Sequence, residues 1–596
     1  MRKKEVKKMN IDKKSWIVII AVLFSFPLFS QTSEEEIKKE VQVVQEYNPI
    51  ISDAFKINEM PSENDDEVAP IVFDYKITGK TFLGTPEIVP LIPAKLSKAP
   101  MESLFPAYAY LYGGNYSLIG GGINYNILQE EKYALALKLG HESSFGKLKL
   151  ENDEKVSAPF HETDGSFYMR HFFSDKTLGL DLKFDNFSYR YYGLNDIDRS
   201  ASYIDKSSLP GNTYTGEQLL ENDSQFFTNF GLNLGFMNRV TRSQLFNYNL
   251  NFGFNTVGNK WGFNENRVDF LADLNIPLGN SNSSLLLFSD VKYATSNFKL
   301  NKVPEPFEPT KKDQLLVRLN PALAINTGST SLKIGLGFGY ENAYNDTEIY
   351  LNPDFIIKVN VIDEIIALEG GITGDIKPSY YDLVLKENPF IAPNTDVNTA
   401  FHGIDMFIGV VGNFSRTTSF AAKVNYISFI DEHFFINKAY TYTLENDTLT
   451  QHYSNLFDVD YDDGTLLKVS GELKVDFEPD FNVILKGTYY KWDMDSLEYA
   501  WHKPQMELGI RANYYINESL GVFASANIIG ERKAGLPTSI VTLKPVYDFN
   551  LGANYQHNKR WNFFAEFRNV ALSSYYRWNG YPSHRFNGRV GVGYSF

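Results

Sequence analysis

The chain ends Arg589-Val590-Gly591-Val592-Gly593-Tyr594-Ser595-Phe596. Val590, Val592, Tyr594 and Phe596 alternate with Arg589, Gly591, Gly593 and Ser595. As a strand, this run carries an apolar stripe on one face and small or polar groups on the other. The same period recurs upstream. Leu467, Val469, Gly471, Leu473, Val475 and Phe477 alternate with Lys468, Ser470, Glu472, Lys474 and Asp476. Met506, Leu508, Ile510, Ala512 and Tyr514 alternate with Glu507, Gly509, Arg511 and Asn513, and Thr228–Phe236 and Phe246–Phe254 repeat the pattern with asparagine and glycine between. A soluble sandwich also alternates, but its strands run about 5–6 residues. These run roughly 11–15, the reach of a tilted strand across a bilayer, with one face on lipid and the other on a wet lumen.

Composition agrees with that constraint. At 596 residues the chain exceeds one ordinary globular core, yet a wide barrel uses such a length as one domain. Its 37 Tyr and 46 Phe suit aromatic girdles at two membrane interfaces. Beyond residue 30 no stretch approaches the roughly 18–20 apolar residues of a spanning helix. The net charge of −15 argues against nucleic acid as a partner. With no cysteine there is no disulfide, thiol catalyst, cysteine-based metal site or lipid-anchored N-terminal cysteine.

Residues 1–30 have the layout of a cleaved secretory signal. Arg2, Lys3, Lys4, Lys7, Lys8, Lys13 and Lys14 form the basic region, and Trp16–Phe29 the apolar core. Met9 is an alternative start. Residues 31–104 read as a periplasmic segment, partly extended. It opens with the charge run Glu34–Glu40, holds apolar islands at Val41–Val44 and Pro49–Ile57, and is punctuated by Pro86, Pro90, Pro93 and Pro100. Residues 105–596 are the expected barrel.

Connections within that region alternate in length. Short polar turns are expected at 129–132, 174–176, 241–243, 279–282, 328–330, 363–364, 415–417, 478–480, 517–519 and 558–560. Longer connections are expected at Gly193–Asp223, Asp375–Thr399 and Asp431–Asp463. Short turns at one end and long loops at the other mark a transmembrane barrel. With a first hairpin at Gly113-Gly114-Asn115 the count is about 22 strands, range 18–22. The fold class is all-β, an antiparallel transmembrane barrel.

The closing region, Trp561–Val570, Tyr575–Tyr581 and the final strand, resembles the C-terminal end of TonB-dependent receptors of the bacterial outer membrane. The resemblance implies an integral outer-membrane barrel, with lipid and the β-barrel insertion machinery as partners. It also implies an insertion signal that includes Tyr594 and Phe596. Those receptors carry a much larger plug domain, preceded by a short box that engages an energising protein; no such box is found here. The run Val41–Ile57 looks like plug-less, receptor-like barrels of the Bacteroidota. Two functional classes follow. One is transport across the outer membrane. The other is a non-transporting barrel subunit of an assembly or secretion complex, with residues 33–103 and the long loops docking a periplasmic or surface protein.

Lys468, Glu472, Lys474, Asp476, Glu507, Arg511, Glu566, Arg568 and Arg589 fall on the expected lumen face. They either line a solute path or form ion-pair networks that stiffen the wall. Asp458, Asp460, Asp462 and Asp463 precede Gly464, but the glycine falls one place late for an EF-hand loop, and a solvated loop is expected. His141-Glu142 and His161-Glu162 lack HExxH spacing. No enzyme, catalytic residue, cofactor or metal is implied. A charge at Val469 or Leu473 should cost about 2–4 kcal/mol near the bilayer midplane, whereas a charge swap at Ser470 or Lys474 should be mild. Unfolding titrations of the four variants check this, and equal damage on both faces would contradict it.

Overall fold

The computed structural model describes residues 105–127, 132–150, 153, 155–193, 224–238, 246–260, 262–279, 282–298, 311–343, 346–392, 395–443, 449–477, 480–536 and 539–596. The expected signal sequence, residues 1–30, and the expected periplasmic segment 31–104 lie outside the described residues, as does most of the connection Gly193–Asp223.

Twenty-two antiparallel strands form a single sheet. Each strand pairs with its neighbours in sequence, and the first, Ala107–Gly114, pairs with the last, Asn587–Ser595, from Tyr108↔Ser595 to Gly114↔Arg589. The sheet therefore closes on itself and has no free edge. Period-two alternation drives each strand. In Thr330–Ala343, Ile334, Leu336, Phe338 and Tyr340 are exposed on the outer wall, while Lys333 pairs with Asp354 at 2.6 Å on the inner face. Among the described residues no helix is long and apolar enough to cross a membrane.

Among the described residues, short turns such as Thr327–Thr330 and Asn517–Leu520 lie at one end with both barrel termini. At that end Trp561 packs against Tyr594 with ring centroids 4.8 Å apart, and Tyr594 stacks on Phe596 at 6.0 Å. This is the beginning of an aromatic girdle. The opposite end carries the long connections, among them 378–399, 495–505, 530–545 and 569–586.

Asp431–Asp463 is a correction. Read from sequence as a connection, it is the upper part of a hairpin formed by Thr418–Thr443 and Leu449–Phe477, paired from Thr418↔Val475 to Thr443↔Leu449. The register breaks between Phe429 and Glu432, where Asp431 adopts φ 53° and donates its N–H to Asp463 Oδ1 at 3.0 Å. Opposite the break is Gly464, where a Cβ would collide with the carbonyl oxygen of Asp493. The bulge turns the hairpin away from the wall.

The seam has its own packing. Tyr108, Tyr110 and Tyr112 stack at 5.8 and 6.2 Å along the inner face of the first strand. Their rings lie over Gly593, Gly122 and Gly120, where any Cβ would strike them, while at Gly591 a Cβ would strike the Phe564 ring and the Tyr112 Cβ. Phe596 closes the seam: its N–H donates to the Ala107 carbonyl at 2.9 Å, and its carbonyl accepts from Ala107 N–H at 3.1 Å. Deleting Phe596 removes both bonds, about 2 kcal/mol at roughly 1 kcal/mol each, and the last girdle aromatic. The amount of heat-modifiable, membrane-embedded barrel should fall, and Phe596→Tyr should restore it. Undiminished levels in the deletion strain would contradict this.

Candidate functional site: a loop cap above a charged wall

The long-loop end is spanned by one apolar core. Tyr189, Tyr191, Phe227, Val257, Phe263 and Phe298 come from the tops of consecutive strands on one side of the barrel. Tyr381, Val384, Ile391 and Ala392 come from the connection 378–399, Phe435 and Phe457 from the long hairpin, and Trp578 and Tyr581 from the connection 569–586. These positions lie far apart around the wall of a 22-stranded barrel, so contact among them requires the loops to fold across the mouth.

Hydrogen bonds fix the crossing. Phe457 N–H donates to the Phe390 carbonyl at 2.9 Å, and Ala392 N–H to the Phe457 carbonyl at 2.7 Å. Tyr189 OH donates to the Pro389 carbonyl, and Tyr191 OH to that of Ile391 at 3.2 Å. Tyr581 OH reaches the Asn455 carbonyl at 2.7 Å, and Arg532 donates to the Tyr576 and Arg577 carbonyls at 2.6 Å. The long hairpin is buried on both faces. Phe435 and Phe457 face this core, while Phe434 and Ile436 face a second one with Ile427, Phe429, Leu466 and Trp501.

His502 sits at the junction, 6 % exposed and with φ 61°. That conformation is uncommon for a side chain with a Cβ and persists where surroundings over-determine it. Here its N–H donates to the Lys533 carbonyl at 2.7 Å, its Nδ1 meets the Phe435 carbonyl at 2.8 Å, and its ring lies 5.3 Å from Phe457 and from Trp578. Burial pushes its pKa down to about 3, against the pull of the Phe435 carbonyl and with help from the charges of Arg532 and Lys503. His584, in the connection 569–586, is also lowered by burial. Burial works to raise Glu387, but bonds from His433 at 2.7 Å and Lys503 at 2.9 Å outweigh it and hold the carboxyl at about 2.

Below the cap the inner wall is charged. Arg267 and Asp269 stand on Phe263–Leu278, Asp290 and Lys292 on Ser283–Phe298, and Arg318 on Lys311–Thr327. Arg267 Nη1 donates to Asp382 Oδ1 at 3.0 Å, and its Nε to Asp269 at 3.2 Å. Arg318 Nε donates to Asp290 at 2.9 Å, and Lys292 lies 3.2 Å from the same carboxylate. Glu265 accepts the Tyr381 N–H at 3.2 Å. The connection 378–399 is thus tied to the wall below as well as to the hairpin above.

The residues singled out from sequence lie elsewhere on the wall. Glu566 pairs with Arg568 at 2.7 Å and Arg589 at 2.8 Å, and Arg589 reaches Glu142 at 3.3 Å. Glu472 pairs with Lys486 at 3.0 Å and Lys474 with Asp476 at 2.8 Å. Glu507 accepts from Tyr490 OH at 3.2 Å, Lys468 lies 5.9 Å from the Tyr490 ring centroid, and Arg511 stands 5.1 Å over Phe523. The four residues Glu142, Glu566, Arg568 and Arg589 meet at the seam; the others are spread along their strands.

The aspartates before Gly464 belong to a strand, a correction to the expected solvated loop. Asp462 accepts the N–H groups of Ser496 and Leu497 at 3.0 and 2.8 Å. His141 and Glu142 part company because neighbours on a strand face opposite ways. His141 bonds Thr163 and Ser143 at 2.8 and 2.6 Å, while Glu142 takes Tyr112 OH at 2.5 Å.

Sequence reasoning missed the cap and the wall formed by Arg267, Lys292 and Arg318. A signal for the wall was present: Arg267/Asp269 and Asp290/Lys292 are opposite charges two residues apart, hence on one strand face. For the hairpin, the unbroken run Phe434-Phe435-Ile436 is what a strand buried on both faces looks like.

No family model and no curated protein matches the sequence. Solved structures do. The siderophore receptor PirA from Acinetobacter baumannii aligns over 82 % of this chain and 80 % of its own, at 12 % identity and TM-score 0.60. The ferric-catecholate import receptor Fiu from Escherichia coli K12 aligns over 84 % and 83 %, at 10 % identity and TM-score 0.59. The copper transporter OprC aligns over 82 % and 80 %, at 11 % identity and TM-score 0.57. The chain therefore shares the closed 22-strand barrel fold of such receptors.

The cap should loosen on acidification. A histidine held neutral below its ordinary pKa of about 6.5 stabilises the fold above that pH and loses this contribution as pH falls towards about 3. Glu387 acts in a lower window, from about 4.5 to about 2. Protease access to the connections 495–505 and 569–586 should rise between pH 6.5 and 4.5. His502→Gln should reduce that rise, and His502→Gln combined with His584→Gln should abolish it. An unchanged profile in the double variant would contradict this.

Proposed function

We propose that the chain is an outer-membrane transport barrel, similar to a TonB-dependent receptor without a full plug. In this reading it is exported through a cleaved signal in residues 1–30 and gated at its long-loop end by the cap. The observation that carries this reading is the cross-mouth bridge between Phe390-Ile391-Ala392 and Phe457. In this reading the bridge holds the mouth shut, and it joins the connection 378–399 to the upper part of the long hairpin. These can part without breaking the wall, whose stability lies in closed strand pairing. The charged inner wall supports an aqueous path beneath the cap. The shared fold supports the same class, since the aligned proteins are receptors and transporters by name. The Bacteroidota type rests on the run Val41–Ile57.

A second reading keeps the barrel as a non-transporting subunit of an envelope assembly. The buried aromatic core of the cap and the backbone hydrogen bonds that cross it favour this reading, because a permanently closed barrel is a scaffold. Planar-bilayer recordings separate the two. Tyr381→Ala with Phe457→Ala removes two buried rings, each worth about 3–5 kcal/mol. The wild type should conduct little and the double variant at least tenfold more. Equally low conductance in both, together with a partner that co-purifies in mild detergent, would overturn transport in favour of the scaffold.

A further inference from the structure

We propose that the small hairpin formed by Lys147–Lys149 and Lys155–Ser157 docks the phosphate of an outer-leaflet lipid headgroup on the outside of the barrel. Its two strands pair from Lys147↔Ser157 to Lys149↔Lys155. They prolong the wall above Tyr133–Ser144. Phe145 N–H donates to the Tyr116 carbonyl at 3.1 Å, and Ala158 N–H to the Gly146 carbonyl at 3.0 Å. The period of two therefore carries through. Leu148, Leu150 and Ala158 are buried behind the hairpin, while Phe145, Lys147, Lys149 and Lys155 are exposed on the face that continues the outer wall.

Height places these lysines at the headgroups. Tyr133, Leu139 and Phe145 share the outward face and are all exposed. Twelve residues separate Tyr133 from Phe145, ~40 Å at ~3.3 Å each and ~30 Å of height at a tilt of roughly 40°. That is the thickness of the hydrocarbon core, so the two aromatics mark its lower and upper edges. Lys147 stands two residues higher, about 5 Å, within the headgroup layer.

The polar groups below Phe145 fit the same placement. His141, Ser143, His161 and Thr163 face outward there and satisfy one another. His141 Nδ1 meets Thr163 Oγ1 at 2.8 Å, and Ser143 Oγ meets His141 Nε2 at 2.6 Å and His161 Nδ1 at 2.9 Å. Polar side chains on hydrocarbon need such partners.

The lysines above are not neutralised in this way. Lys149 pairs with Asp153 at 2.7 Å, but Lys147 and Lys155 have no carboxylate partner among the described residues. Glu151 and Glu154, between the strands, lie outside those residues. Arg585 adds its pull to that of Lys149 on Asp153. On another part of the outer wall, by contrast, Lys311 pairs with Asp313 at 3.2 Å. Lys149 and Lys155 are like charges directly opposite across the ladder, an unfavourable arrangement that a bound phosphate relieves, and lysine binds phosphate as a point charge. The inference needs only the barrel in a bilayer, so it holds for a transporter and for a scaffold alike.

The test uses the full-length protein in neutral detergent. Equimolar phosphatidylglycerol and phosphatidylcholine with identical acyl chains are offered, and the retained lipid is read by native mass spectrometry. The wild type should retain phosphatidylglycerol about threefold over phosphatidylcholine. Lys147→Gln with Lys155→Gln should bring the two to parity, while Lys311→Gln keeps the preference and all forms stay heat-modifiable. Equal retention of the two lipids by the wild type, or an undiminished preference in the Lys147/Lys155 variant, would overturn the proposal. So would displacement of phosphatidylglycerol by excess inorganic phosphate at constant ionic strength, which would assign the lysines to a free anion.

Discussion

Everything in this structure follows from the need to pair every backbone N–H and C=O inside the sheet. A bilayer offers no water to satisfy an open edge, so 22 strands must close, and closure rests on the contact between Ala107–Gly114 and Asn587–Ser595. That contact is short and rich in glycine. Tyr108, Tyr110 and Tyr112 compensate by laying their rings over the bare backbone of Gly593, Gly122 and Gly120, and the Phe564 ring covers Gly591. Arg589 adds charge pairing to Glu566 and Glu142 at the same place.

Closure at this strand number creates a second problem, since the wall's own side chains cannot fill so wide a lumen. The chain answers it twice. Low on the wall, opposite charges neutralise one another in pairs such as Glu472–Lys486 and Lys333–Asp354. At the mouth, the bulge at Asp431 and Gly464 steers the longest hairpin off the wall, so that aromatic residues from both sides meet over the opening.

The strands were legible because lipid imposes a strict period of two, visible in Leu467–Phe477 without any knowledge of partners. The short turns were legible for the same reason, as breaks in that period. The cap was not. Tyr191 touches Ile391 and Asn455, positions 200 and 264 residues away, and no local pattern encodes such a meeting. The hairpin above Asp431 was misread because burial on both faces erases alternation, and its aspartates imitate a loop. The charges near the C-terminus stood out because their strands alternate cleanly. Arg267 and Lys292 carry the same signature, but only the fold shows that a loop lies over them.

Arg267 joins the two halves of the site. One of its nitrogens holds Asp382 on the short helix Tyr381–Glu387, another holds Asp269 on its own strand, and its plane covers Tyr380. The helix in turn buries Tyr381 against Phe227 and Phe263 in the cap core. Losing Arg267 would therefore cut its bond to Asp382, a tie between wall and cap. Breaking a buried pair on one side leaves an uncompensated charge worth about 3–5 kcal/mol, comparable to a buried aromatic ring. Wall and cap are thus tied through one guanidinium, together with the bond from Tyr381 N–H to Glu265.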